Sequence, residues 1–111
     1  LMLDASADSL LAALKMYSKI MHENDQFIFF IAGHGDYDPY FFDDGFLVMA
    51  NSLSYQKDPN RRTYLPFSLL KNIIDNLPPN QILLLVDVCF GGAFDTKISQ
   101  GSKRSSNAMY E

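Results

Sequence analysis

The stretch "ILLLVDV", residues 82–88, restricts the fold more than any other part of the chain. It is apolar at both alternating sets of positions, as a central strand of a parallel sheet is when helices cover both of its sides. "PPNQ" precedes it and stops the element before, "LPFSLLKNIIDNL", which carries Phe67, Leu70, Ile73, Ile74 and Leu77 at helical spacing with Pro66 near the first turn. Upstream, "QFIFFIA" at 26–32 is a second short apolar run, rich in aromatic and branched residues, and its length favours a buried strand. Strand, helix and strand describe a right-handed crossover, the unit of α/β folds. The expectation is therefore an α/β fold with a mostly parallel central sheet and helices on both faces. Two long strands are a meagre sheet, so further segments or a second chain are expected to complete it.

The remaining elements follow from pattern and punctuation. Residues 8–21 place Leu10, Leu14, Tyr17 and Met21 on one stripe, widened by Leu11 and Ala13, which predicts a helix capped by Asp8 or Ser9. "GHGDYDPYFFDDG" carries glycines, a proline and four aspartates and reads as a long loop, with "GFLVMAN" as a short strand within the excursion. "SLSYQKDPNRRT" is polar and expected to be exposed. From Thr96 onward the chain is polar with Gly and Ser concentrated in it, which predicts a flexible loop or trailing end over 96–111, after a domain over 1–95.

At 111 residues the chain suffices for one domain, and 48% hydrophobic with 20% charged residues is an ordinary globular composition. A net charge of -4 gives no support to nucleic acid or an anionic membrane as partner. The single cysteine cannot form an internal disulfide and fits a reducing compartment, so a cytoplasmic location is favoured. No apolar run reaches the roughly 20 residues that cross a bilayer. The first residues lack the basic region of a signal peptide. A chain that begins with leucine also fits an excised or processed piece, for which an upstream targeting segment stays open.

In open α/β sheets, ligands bind beyond the carboxyl ends of the strands. The first strand ends in "GHG" and the second in "DVC", so His34 and Cys89 belong on one rim if the strands are neighbours. A thiol nucleophile requires that arrangement, with a base in reach to take its proton or stabilise the thiolate. Gly33, Gly35, Gly91 and Gly92 flank the pair. The amides of Gly35 and Cys89 are candidates to hold the oxyanion of a tetrahedral intermediate. Strand alternation puts Asp87 on the same side as Cys89, and a carboxylate in so apolar a run is costly unless paired, which a basic substrate would do. Each residue has a plainer alternative: a buried small hydrophobe for Cys89, a turn-capping imidazole for His34, and a salt bridge or backbone-bonded carboxylate for Asp87.

The combination "FIFFIAGHG", "DDGFLV" and "LLLVDVCFGG" resembles the caspase-like cysteine peptidases, the metacaspase type more than the animal caspases, over about residues 10–95. The resemblance implies a caspase-like sandwich, present here only in part, because the family's fold includes strands before and after the matched segment. It implies catalysis by His34 and Cys89, 55 residues apart, and cleavage after Arg or Lys with Asp87 lining the pocket for that residue. Phe90 replaces the His commonly found after the cysteine in metacaspases, and Gly92 follows where many members pair Ser with Gly. Such an enzyme needs no cofactor. Metacaspases are often calcium-activated, but Asp36, Asp38, Asp43 and Asp44 match no EF-hand spacing, and solvated loop charge is the preferred reading. Zinc is not expected with one cysteine and two scattered histidines.

Lys97, Lys103 and Arg104 follow Cys89 closely and are candidate self-cleavage sites. Two rival functions stand beside a peptidase: a catalytically inactive caspase-like scaffold or signalling domain, and a hydrolase or acyl transferase using the same pair on a non-peptide substrate.

Overall fold

In a computed structural model of the protein, the residues described are 1–90 and 108–110. Helix α1, Ala7–Ser18, begins where Ser6 takes an extended backbone and accepts the N–H of Ser9 on its hydroxyl, while Ser9 Oγ accepts the N–H of Ser6. Two orphan donors are thereby satisfied reciprocally. The cap is Ser6, two positions before the expected Asp8, which instead lies in the first turn, where a carboxylate meets the positive end of the helix dipole. The helix also ends earlier than expected, at Ser18, which leaves Met21 outside it; of the anticipated stripe Leu10 and Leu14 are buried and Tyr17 is exposed.

Strand β1, Gln26–Ala32, and a second long strand, Gln81–Asp87, pair in parallel with a constant register from Gln26↔Gln81 to Ala32↔Asp87. Between them lies an excursion of three short strands, β2 (Gly35–Asp38), β3 (Asp44–Leu47) and β4 (Leu65–Pro66), and then helix α2, Phe67–Asp75. The second long strand is thus β5. Pro66 stands at the N-cap of α2 rather than inside its first turn and offers no side-chain cap. Asp44 does so from β3: its carboxylate accepts both the N–H and the hydroxyl of Ser68. A helix end is thereby tied to the hairpin.

In a parallel ladder, register partners point to the same face. Phe27, Phe29 and Ile31 therefore join Ile82, Leu84 and Val86 on the side where Leu10 and Leu14 of α1 and Phe67, Leu70 and Ile74 of α2 complete the core. On the opposite side Ile28 and Phe30 are 65% and 61% exposed, with Leu83 and Leu85 beside them. Of the expected cover on both faces one side is seen: among the described residues both helices pack on one face. An all-apolar strand shows that two faces need cover, not which segment supplies it. Ala108–Tyr110 form β6, parallel to β5, giving the order β1-β5-β6. The described part of the expected trailing end is thus a short strand, because three residues suffice to use the second edge of β5.

The excursion is more ordered than its composition suggests. The expected long loop is a hairpin in which β2 and β3 pair antiparallel, and β4 adds to β3. Asp38 Oδ1 accepts the N–H groups of Tyr40 and Phe41, the Tyr37 hydroxyl donates to Asp43, and Asp43 itself has φ 49°. These aspartates build the turn rather than mark a loop, since a short carboxylate bonds the backbone just ahead of it and tolerates positive φ. The two N–H donors also hold the Asp38 carboxyl below its ordinary value. In the segment expected to be exposed, Asp58 and Arg61 are buried. Asp58 accepts the N–H groups of Arg62 and Thr63 and the Thr63 hydroxyl. That hydroxyl, followed by the Thr63 N–H, lowers its pKa.

Candidate active site

The parallel register sets the site. Every pair in the β1–β5 ladder differs by 55 in residue number, and the Gly33 N–H donates to the Asp87 carbonyl at 3.2 Å, one step past the last pair. The ladder ends at Ala32 and Asp87, and His34 and Cys89, separated in sequence by the same offset, each lie two residues beyond those ends. Both residues are exposed. Beyond the ladder the alternation of β5 persists: Val86, Val88 and Phe90 are buried, and Asp87 and Cys89 are exposed. The thiol and the Asp87 carboxylate thus leave the strand on the side away from the helices.

Two further contacts fix the histidine segment. The His34 carbonyl accepts the Val48 N–H at 2.9 Å, which extends the β2–β3 ladder to the histidine itself. A Cβ built on Gly35 would lie 2.7 Å from Phe90 Cδ1, 2.8 Å from Val88 Cγ1 and 3.0 Å from the Cys89 carbonyl oxygen. The turn after β1 and the end of β5 therefore touch directly, and the absent side chain is what permits the approach. Because His34 and Val48 form a hydrogen-bonded pair, Gly35 and Leu47 form a non-hydrogen-bonded one, and the Gly35 N–H points away from β3.

The premise that Asp87 needs a partner is corrected. It sits at the carboxyl end of β5 and is exposed, so water solvates the carboxylate. Among the described residues it makes no ion pair. Solvent access leaves it available to a cationic group. The four aspartates weighed for calcium are divided among separate tasks: Asp36 pairs with Arg61, Asp38 and Asp43 bond within the hairpin turn, and Asp44 holds Ser68. Among the described residues no three His, Cys, Asp or Glu side chains converge to hold a metal ion. Gly91, Gly92, Lys97, Lys103 and Arg104 lie outside the described residues.

The sequence reading overlooked Arg61. Its guanidinium is buried against the hairpin that follows His34, with Nε donating to Asp36 Oδ2 at 2.5 Å. The surrounding "KDPNRRT" composition gives no sign of burial; the one usable signal is that Asp58 and Thr63 can close a side-chain-bonded turn around it.

No protein-family model matches the chain, and a search of curated proteins likewise returns no match. No described helix is long and apolar enough to cross a membrane.

Proposed function

We propose that this α/β unit is part of a caspase-like cysteine endopeptidase that cleaves after Arg or Lys. The observation that supports the reading is that His34 and Cys89 each follow by two residues the ends of neighbouring parallel strands, together with the close approach of Gly35 to the Val88–Phe90 segment. In the proposed cycle His34 accepts the Cys89 thiol proton and Sγ attacks the scissile carbonyl carbon. The N–H groups of Gly35 and Cys89 hold the resulting oxyanion. As the carbon–nitrogen bond breaks, the imidazolium returns its proton to the leaving amine. Water then attacks the thioester, giving a proton to His34, and the carbon–sulfur bond breaks to release the acid and the thiol.

Asp87, exposed on the same side of β5 as Cys89, is the proposed counter-charge for the basic residue preceding the cut. Lys97, Lys103 or Arg104 is the proposed site of self-processing. The apolar face bearing Ile28 and Phe30 supports the companion proposal that further segments or a second chain complete the sheet. No cofactor is required by this chemistry.

The test is cleavage of a peptide library by the full-length protein and by its Cys89→Ala and His34→Ala forms. Cuts after Arg or Lys that vanish in both variants support the reading. A well-folded wild-type protein that cuts nothing favours a scaffold with the same fold, and activity that survives Cys89→Ala removes the mechanism. Mass spectrometry of the same samples should find new termini after Lys97, Lys103 or Arg104 only in the active form.

A further inference from the structure

A buried arginine in a charged, turn-rich segment requires an explanation, because a guanidinium keeps its charge wherever it sits. Arg61 is 9% exposed. Nε donates to Asp36 Oδ2 at 2.5 Å, and the guanidinium carbon stands 5.6 Å from the centroid of the Phe46 ring and 5.0 Å from that of Tyr55. Its backbone lies in the left-handed region, φ 52°, which disfavours any residue with a Cβ. The Arg61 N–H donates to the Asp58 carbonyl at 3.0 Å, and the Arg61 carbonyl accepts from Tyr64 at 3.2 Å. Asp58 in turn closes the loop through Arg62 and Thr63. The loop is folded so as to deliver one cation to one place.

That place is the hairpin. Asp36 on β2 and Phe46 on β3 are register partners, so their side chains share a face, and Arg61 grips both: the carboxylate by a charge-assisted bond and the ring by a cation–π contact. Gly35, the residue before Asp36, is packed against Val88, Cys89 and Phe90. His34 is the residue before that, and its carbonyl continues the same ladder through Val48. The chain from Asp36 back to His34 is therefore held at one end by Arg61 and in the middle by the cysteine segment.

We infer that Arg61 and Asp36 are positioning residues for His34, acting through β2 to hold the imidazole against Cys89. The inference rests on the cysteine peptidase reading and deepens it. Neither residue touches the thiol. Arg61 fixes Asp36 near the start of β2, two residues after the histidine, and a small displacement there moves the base off the sulfur, to which rates are steeply sensitive.

The test uses the full-length protein and iodoacetamide alkylation at about pH 6.5, where a thiol without a basic neighbour is mostly protonated, read by mass spectrometry on the peptide that carries Cys89. Arg61→Lys keeps the charge but loses the planar contacts, and Asp36→Asn keeps the shape but loses the charge. Each is compared with wild type and combined with His34→Ala. The expected result is that either variant slows alkylation on the order of tenfold, and that neither slows it further once His34 is alanine. The same variants should lower kcat for cleavage after Arg more than they raise KM.

Equal slowing in both backgrounds would overturn the inference, since a merely structural lesion disturbs Cys89 with or without the imidazole. So would Arg61→Lys and Asp36→Asn that alkylate like wild type while His34→Ala is slow, which leaves the peptidase reading standing. Wild type and His34→Ala alkylating alike would defeat that reading and the positioning role together. If Arg61→Lys fails to fold, Asp36→Asn gives the same comparison.

Discussion

Replacing Gly35 by alanine places a methyl group where there is no room. Its carbon would meet Phe90 Cδ1 at 2.7 Å, Val88 Cγ1 at 2.8 Å and the Cys89 carbonyl oxygen at 3.0 Å, against roughly 3.5–4.0 Å for unstrained carbon contacts. The side chains have little freedom to retreat: Phe90 is 6% exposed with its ring 5.4 Å from that of Phe67, and Val88 is also buried. The third neighbour is backbone. Relief must come from parting the turn after β1 from the end of β5, which moves Cys89 away from His34.

Overpacking of this kind costs about 1–3 kcal/mol. A central value of about 2 kcal/mol corresponds to a melting temperature roughly 9 °C lower for a domain of this size. Thermal unfolding followed by circular dichroism reads the first effect, and Cys89 alkylation at mildly acidic pH reads the second, as a slowing. Gly33→Ala is the control. A Cβ there meets nothing within 4 Å and the backbone is outside the left-handed region, so stability should stay level or rise by up to about 1 kcal/mol as the unfolded chain loses freedom. If Gly35→Ala melted and alkylated like wild type, the close approach of the two segments would be refuted.

Asp58 predicts an acid dependence. Its folded pKa lies below the ordinary 3.8 because Thr63 donates from its hydroxyl and N–H, so the stabilisation is complete above that value and is lost as pH falls through the folded one. Asp58→Asn should therefore lower the urea midpoint at neutral pH, with the gap to wild type narrowing below about pH 4; a gap of constant size would contradict this. Leu70, fully buried beneath the sheet in α2, should cost about 2–5 kcal/mol on truncation to alanine with the urea m-value unchanged.

The central architecture was legible because burial imposes a strong pattern. The apolar runs at 26–32 and 82–88 and the spacing of Phe67, Leu70 and Ile74 lead directly to β1, α2 and, displaced by one residue, β5 (Gln81–Asp87). The rim positions of His34 and Cys89 follow from the strand ends. Cover was not legible, since Ile28 and Phe30 resemble Phe27 and Phe29 in composition and differ only in which side of the strand the helices occupy. The hairpin was hidden for a different reason: Asp38 and Asp43 spend their polarity on nearby backbone and side-chain donors, and composition cannot separate a carboxylate that folds a turn from one that is merely solvated. Arg61 was hidden likewise, because its burial depends on Asp36, Phe46 and Tyr55 meeting across separate segments.

The adjacency of positions 34 and 89 can be tested with one engineered thiol. Since Cys89 is the sole cysteine, His34→Cys creates one possible internal pair, which closes without distortion only when the Cα atoms are about 4.4–6.8 Å apart. Mild oxidation of the native variant should consume both thiols and yield a monomer two mass units lighter in a denaturing mass measurement, and urea-unfolded protein should close the bridge far less readily. Two free thiols after oxidation of the native form, or linkage only between molecules, would show that the strands do not bring the imidazole and the sulfur to a common crevice.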